Sequence, residues 1–269
     1  MMTIDTLQLS LKSLRMGGMA TNLSKRYQEA RSHELDYLDF MSNLVADELA
    51  RRQGNLLNRR IKLARFPQLK TIDDFDFNFN TAIKKKDILA LCNSNFIFKN
   101  NNILFIGPPG VGKTHLATAL GIAAIHNGYT VLYKSAFDLV LEMSDFETGR
   151  QRREYLKGLV KVNLLIVDEL GMKKMPQNAA DDLLEVIHRR HMTGSTIIAT
   201  NRIVSDWNLI LGDTAATAAI LDRFLENAEV FTIKGKSYRL SKKTGKGDLN
   251  HTILQEGVAG FEVPTSGCF

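Results

Sequence analysis

The run Gly107-Pro108-Pro109-Gly110-Val111-Gly112-Lys113-Thr114 matches the pattern G-x-x-x-x-G-K-[ST] without departure. These residue types suit one task, holding the phosphates of a nucleotide such as ATP. Glycines let the backbone curl until successive N–H groups point inward at phosphate oxygens. A helix starting near Gly112 adds its partial positive charge. Lys113 can reach the β- and γ-phosphates as a compact cation, and Thr114 can offer its hydroxyl to Mg²⁺. His115 comes next and is taken with the loop as a nucleotide-site residue, a packing role being its other reading.

A second constellation is Leu164-Leu165-Ile166-Val167-Asp168-Glu169, an apolar run ending in two carboxylates. In open α/β sheets ligands bind outside the carboxyl ends of the strands. Asp168 can there hold Mg²⁺ directly or through its waters, and Glu169 can orient or deprotonate an attacking water. Asn201, after a further apolar strand, would face the γ-phosphate and that water. Arg223 and Arg239 are candidates to supply charge to a transferring phosphate, in cis or from a neighbouring subunit. Taken singly, each arginine reads first as a surface residue or a salt-bridge partner. The six histidines form no metal-ligand cluster, and the two cysteines, Cys92 and Cys268, form no C-x-x-C pair. The expected cofactors are therefore ATP and Mg²⁺ alone.

These groups need a scaffold, and the apolar pattern supplies one. Short buried strands at 103–106, 130–133, 164–167 and 195–199 alternate with helices at 113–127, 137–143 and 179–191. That is an α/β fold with a central parallel sheet flanked by helices. A small all-helical region precedes it. Leu7, Leu11 and Leu14 recur at helical spacing, Gly17-Gly18 interrupts, and Leu35, Leu38, Met41, Leu44, Val45 and Leu49 continue on a second helix. The expected division is 1–66, helical and DNA- or partner-binding; 67–99, a linker with Phe75, Phe77 and Phe79 packed on the next domain; 100–240, the ATPase domain; and 241–269, a loosely ordered tail.

The net charge is +6, and its distribution is uneven. Residues 1–70 hold 12 Lys or Arg against 7 Asp or Glu, and residues 234–250 hold 6 against 1. Two basic ends thus flank a mildly acidic middle, which suits a polyanion such as nucleic acid and equally reads as solvated helix faces. The group from Arg51 to Arg65 is the first candidate to touch it and the group from Lys234 to Lys246 the second. Part of the first group also serves the dipole at a helix C-terminus. No apolar run approaches a membrane span, and residues 1–16 carry no cleavable signal pattern, so a cytoplasmic protein without a membrane partner is expected.

The ordered set GPPGVGKTHLA, LLIVDELG, GSTIIATNRIVSDW, LDRF and KGKSYRL resembles the IstB family, the ATP-binding helper proteins of two-gene insertion sequences. That family is related to the helicase loader DnaC and the initiator DnaA. The resemblance runs from about Leu7 to Leu240. It implies an AAA+ fold with strand order 5-1-4-3-2 and ATP sites between the subunits of a homo-oligomer. It implies that Asn201 is the first sensor, Arg239 the second sensor and Arg223 a finger on a neighbour's ATP. It also implies assembly on duplex DNA, bending of that DNA and its delivery to a cognate transposase, with ATP hydrolysis as a timing step. A DnaC-like helicase loader is the alternative within the superfamily. A small-molecule kinase, with Arg150, Arg152 and Arg153 as a lid, is the alternative outside it.

Overall fold

A computed structural model of the chain describes residues 3–244. Its centre is a five-stranded parallel sheet. The strands are β1 (Asn102–Ile106), β2 (Val131–Ser135), β3 (Leu164–Leu170), β4 (Ser195–Thr200) and β5 (Ala228–Thr232), in the order β2-β3-β4-β1-β5. Read from the other edge this is the 5-1-4-3-2 order implied by the family resemblance. The strands of the interior are buried on both faces, which is why they read as unbroken apolar runs. β5 is an edge strand, half open to solvent, and its mixed sequence gave no strand signal.

Alternate residues serve opposite layers. Leu104, Ile106, Leu165, Val167 and Ile198 face a layer built from α7 (Ala136–Ser144), α8 (Gly149–Lys161), α9 (Ala179–Arg190), α10 (Trp207–Leu211) and α11 (Thr214–Leu225). Ile103, Phe105, Leu164, Ile166, Ile197 and Ala199 face the other layer. Its main helix is α6 (Lys113–His126), joined by α4 (Lys85–Leu91) and α5 (Asn95–Phe98). The stretch 67–99 therefore carries two helices whose Ile88, Leu91, Phe96 and Ile97 are buried in the same core as β1. Arg190 ends α9 inside the protein. Its guanidinium donates to the carbonyls of Leu159, Val162 and Ser195 and to Thr196 Oγ1, tying α8, α9 and β4 together.

The N-terminal part is three helices, α1 (Ile4–Ser13), α2 (Gly17–Ser32) and α3 (Tyr37–Ala64). One expectation is corrected here. Gly17-Gly18 does not separate two helices but opens α2. Gly18 N donates to Glu48 Oε2 of α3 at 2.6 Å, and a Cβ at Gly18 would lie 2.7 Å from the Asp47 carbonyl. Glycine is needed for that approach, and Glu48 serves as the helix cap that Met16 lacks. The period from Leu35 to Leu49 is real but is not a buried face. Only Leu44 enters the small core with Met19 and Leu23, while Leu35, Leu38, Met41, Val45 and Leu49 are exposed. Leu7 and Leu11 pack against that core, and Leu14 faces solvent.

α3 joins the two parts without a break. Its C-terminal turns lay Leu57, Ile61 and Ala64 on the α6 side of the sheet. At the other end of the chain α12 (Tyr238–Thr244) begins beside the sheet, so residues 241–244 of the expected tail are helical. Residues 245–269, the rest of that tail, lie outside the described residues, as does Lys246. Among the described residues no helix is long and apolar enough to cross a membrane.

Candidate functional site

The Gly107–Thr114 loop leaves the end of β1 and enters α6 as the spacing requires. Gly112 caps α6 at φ +106°, and a Cβ there would come within 2.6 Å of the Phe75 ring. Only glycine meets both conditions. Gly107 N donates to the Thr200 carbonyl at 3.1 Å, fastening the loop to the end of β4. Pro108 and Pro109 fill the turn, and Val111 is buried below it. Lys113 is nearly buried, its Nζ donating to the carbonyls of Gly107 at 2.7 Å and Pro108 at 2.9 Å. Burial pushes its ammonium down to about 8. Asp168 opposes that shift and Arg239 adds to it.

A cavity of about 820 Å³ opens over this loop, within the size range of nucleotide-sized ligand sites. Gly110, Val111, Gly112, Lys113, Thr114, His115, Tyr133, Glu169 and Arg239 line it. Arg239 comes from the far end of the chain because Tyr238 N donates to the Gly110 carbonyl at 3.0 Å, docking α12 on the loop. Asp168 sits behind the wall, only 1% exposed. Tyr133 of β2 donates to its Oδ2 at 2.8 Å, and the Glu169 backbone N–H donates to its Oδ1 at 2.7 Å. Burial first, and then the neighbouring Asp168, raise the Tyr133 hydroxyl above its usual range, so it stays a proton donor. Glu169 is exposed at φ +61°, where β3 slips register against β4 between Val167 and Leu170. The bulge turns successive residues to different uses, one carboxylate inward and the next toward the cavity.

Not every expected residue converges on the cavity. Asn201 stands beyond the end of β4, and its Oδ1 is buried without a hydrogen-bond partner among the described residues. Arg223 lies away on α11, its Nε donating to His188 Nδ1 at 3.2 Å and its Nη1 to the Ala219 carbonyl at 3.0 Å. Arg152, weighed as part of a lid, is turned from the cavity and paired with Asp182 and Glu185.

The largest omission of the sequence reading is the opposite wall. Residues 67–70, 74–76, 79 and 80 line the cavity, Lys70, Asp74, Phe75, Phe79 and Asn80 among them. His115 Nε2 donates to the Thr71 carbonyl at 2.8 Å, and the Phe75 ring meets His115 edge-on with 5.2 Å between centroids. Burial lowers the His115 imidazole, so the neutral ring is favoured. Phe79 meets Tyr238 in the same manner at 5.0 Å. The alternating Phe75, Phe77 and Phe79 were the only sign of this wall.

The donor set fits a magnesium–phosphate site better than a protein-made metal cage. Among the described residues no group of three His, Cys, Asp or Glu could hold a metal. Mg²⁺ with a nucleotide asks for only one or two protein oxygens, and Thr114 and the fixed carboxylate of Asp168 are of that kind. Tyr133→Phe would leave the Asp168 oxygen buried and unpaired. It is expected to lower stability by about 1–3 kcal/mol, read by urea unfolding, without loss of the folded state.

A parallel sheet in this order, with a phosphate-binding loop after β1 and paired carboxylates ending β3, defines an AAA+ P-loop protein. The fold likeness agrees. AMPPCP-bound DnaA from Aquifex aeolicus superposes with a TM-score of 0.54 at 19% identity, covering 68% of this chain and 56% of that one. A crystal structure of DnaI gives 0.53 at 19% identity, covering 64% and 93%. Within that class the chain belongs to the IstB-like ATP binding protein family, which matches residues 9–246. A relative named for ATP binding in insertion sequence IS5376 of Geobacillus stearothermophilus is 36% identical over 230 residues, 86% of this chain and 92% of that one. The corresponding protein of insertion sequence IS21 from Pseudomonas aeruginosa is 33% identical over 243 residues, 90% and 92%.

Proposed function

We propose that this protein hydrolyses ATP and assists DNA transposition, assembling on duplex target DNA, remodelling it and presenting it to a transposase. The observation that carries this reading is the convergence of Lys113, Thr114, Glu169 and Arg239 on one cavity in a member of an insertion-sequence ATP-binding family. In the proposed chemistry the loop N–H groups and Lys113 hold the phosphates. Thr114 and Asp168 would hold Mg²⁺, which when bound would offset the negative charge of the phosphates. Glu169 takes the proton of the attacking water. Asn201 orients that water with its unpaired carboxamide, and Arg239 senses the γ-phosphate from its own chain. Arg223, remote from its own cavity, acts on the nucleotide of a neighbouring subunit.

The N-terminal helices are the proposed DNA-binding part. Arg51, Asn55, Arg59 and Lys62 recur at i, i+4, i+8 and i+11 of α3 and are all exposed. One helix face thus presents three cations and an amide to solvent, chemistry suited to phosphates rather than base edges. Alanine at both Arg59 and Lys62 is expected to weaken duplex binding on all sequences alike. It should also reduce the slope of log affinity against log salt by about 2. A salt titration by fluorescence anisotropy checks both; an unchanged slope removes α3 from the DNA interface.

The deciding measurement is the steady-state ATPase rate, with and without duplex DNA, over a range of protein concentrations. A rate per subunit that rises with both supports shared ATP sites on a DNA-borne assembly. Indifference to both would leave a nucleotide-binding protein without this role. A helicase-loader reading rests on the fold likeness to DnaC alone, at 23% identity and a TM-score of 0.50. Recovery of a replicative helicase and no transposase in a pull-down would favour it. The kinase reading loses Arg152 from its lid, because that side chain is held by two carboxylates.

A further inference from the structure

The carboxyl-terminal ends of α9 and α11 meet along two rungs that ATP binding in the same chain does not use. Arg223 Nε donates to His188 Nδ1 at 3.2 Å, and three residues further along both segments His191 Nε2 and Glu226 Oε2 pair at 2.7 Å. Arg223 is half-buried, and its Nη1 also donates to the Ala219 carbonyl at 3.0 Å. Arginine has no acceptor atom, so Nδ1 is the lone-pair nitrogen of His188 and the ring N–H lies at Nε2. Both acceptors on Arg223 are thus uncharged. The nearby carboxylates are engaged elsewhere. Glu185, one turn before His188, holds Arg152 and Arg189, and Glu226 holds His191. Asp222, next to Arg223 in sequence, projects about 100° round the helix. The Arg223 guanidinium therefore keeps its full charge and three of its five N–H donors, both on Nη2 and one on Nη1.

We propose that His188 is a positioning residue for Arg223, fixing the guanidinium so that its charge and its free N–H groups are presented to the nucleotide of a neighbouring subunit. The inference rests on the reading of Arg223 as the group that acts across subunits. An arginine on a helix face ranges over many rotamers, and ordering it at the moment of phosphate contact takes free energy from transition-state binding. Arg223 arrives ordered, because α9 holds its Nε and its own helix holds its Nη1. A carboxylate in the place of His188 would orient the side chain as well, but it would offset the charge that a transferring phosphate calls for. A neutral imidazole orients without offsetting. Ala219 contributes a backbone carbonyl, so His188 is the contact that side-chain chemistry sets. His188 is exposed and lines no part of its own chain's cavity, so it acts only through Arg223.

The test uses the full-length protein with saturating ATP, Mg²⁺ and duplex DNA. His188→Ala is expected to lower kcat by about 10- to 100-fold, the cost of losing orientation at one charged group, with KM for ATP within about three-fold. His188→Asn, whose side-chain oxygen can accept where Nδ1 did, is expected to keep kcat within about three-fold of the unsubstituted protein. In an Arg223→Ala background His188→Ala is expected to cause no further loss. A second readout needs no nucleotide. With ¹⁵N-labelled arginine, the Arg223 Nε–H is expected to exchange with solvent at least about ten-fold faster in His188→Ala than in the unsubstituted protein. Equal loss of kcat in His188→Ala and His188→Asn overturns the inference, as does unchanged Nε–H exchange. So does a full rate in His188→Ala while Arg223→Ala is slow, and in each case the role of Arg223 itself stands. A full rate in Arg223→Ala, or no hydrolysis by the unsubstituted protein, fails that role and the inference with it.

Discussion

Glu169→Gln is expected to slow ATP hydrolysis by about 10²–10⁴-fold, the usual contribution of a general base, while ATP affinity changes by less than about three-fold. The substitution keeps the shape of the side chain and removes only its ability to take a proton. Glu169 is exposed and makes no part of the core, so stability stays within about 0.5 kcal/mol. Asp168 keeps both of its hydrogen bonds, because the one at position 169 comes from the backbone. Single-turnover hydrolysis beside equilibrium binding of ATP separates the two effects. If, as proposed, assembly on DNA needs bound ATP and release needs its cleavage, the same variant should form long-lived complexes there. Normal hydrolysis by Glu169→Gln would show that another group activates the water. Glu169→Gly provides a control of a different kind. A non-glycine residue at φ +61° costs about 1 kcal/mol or more. Glycine there should therefore raise stability by about that amount and abolish hydrolysis.

Lys113→Ala is expected to weaken ATP binding by about 2–4 kcal/mol, roughly 30- to 1000-fold, and to remove DNA assembly with it. The ammonium is nearly buried and already engaged with the Gly107 and Pro108 carbonyls, so it is positioned before any phosphate arrives. A pH dependence follows from the same burial. Desolvation holds the ammonium at about 8, whereas a bound triphosphate favours its charged form. Binding then takes up a proton above pH 8. ATP affinity should be nearly constant below that value and about ten-fold weaker at pH 9 than at pH 7. Calorimetry at the two pH values checks the sign, and Lys113→Ala should lose this particular dependence. Stronger binding at pH 9 would contradict the assignment.

The parts of this fold that local spacing dictates were legible before any coordinates. The loop from Gly107 to Thr114 carries its own geometry, and the buried strands announce themselves by unbroken apolar runs such as Leu164 to Val167. The strand order was legible only through the family resemblance. What stayed hidden depends on contacts distant in sequence. Nothing local to Phe75 says that its ring closes on Gly112. Nothing local to Tyr133 says that its hydroxyl holds Asp168. α8 was missed because its sequence is mostly polar, with only Leu156 and Leu159 buried. The apolar period on α3 left its surroundings open for the opposite reason. Its period is that of an amphipathic helix, and period alone does not tell an intramolecular partner from solvent.

α3 is also a mechanical element. It is continuous from Tyr37 to Ala64, about 42 Å long, rooted at one end on the sheet and at the other in α1 and α2. Its root adjoins the cavity through Phe66, which lies against Gly121 of α6, and Pro67, which lines the cavity wall. An unbroken helix of this length behaves as a lever. A tilt of about 10° at the root sweeps the far helices through about 7 Å. Small adjustments around a nucleotide would be delivered, amplified, to whatever α1 and α2 hold.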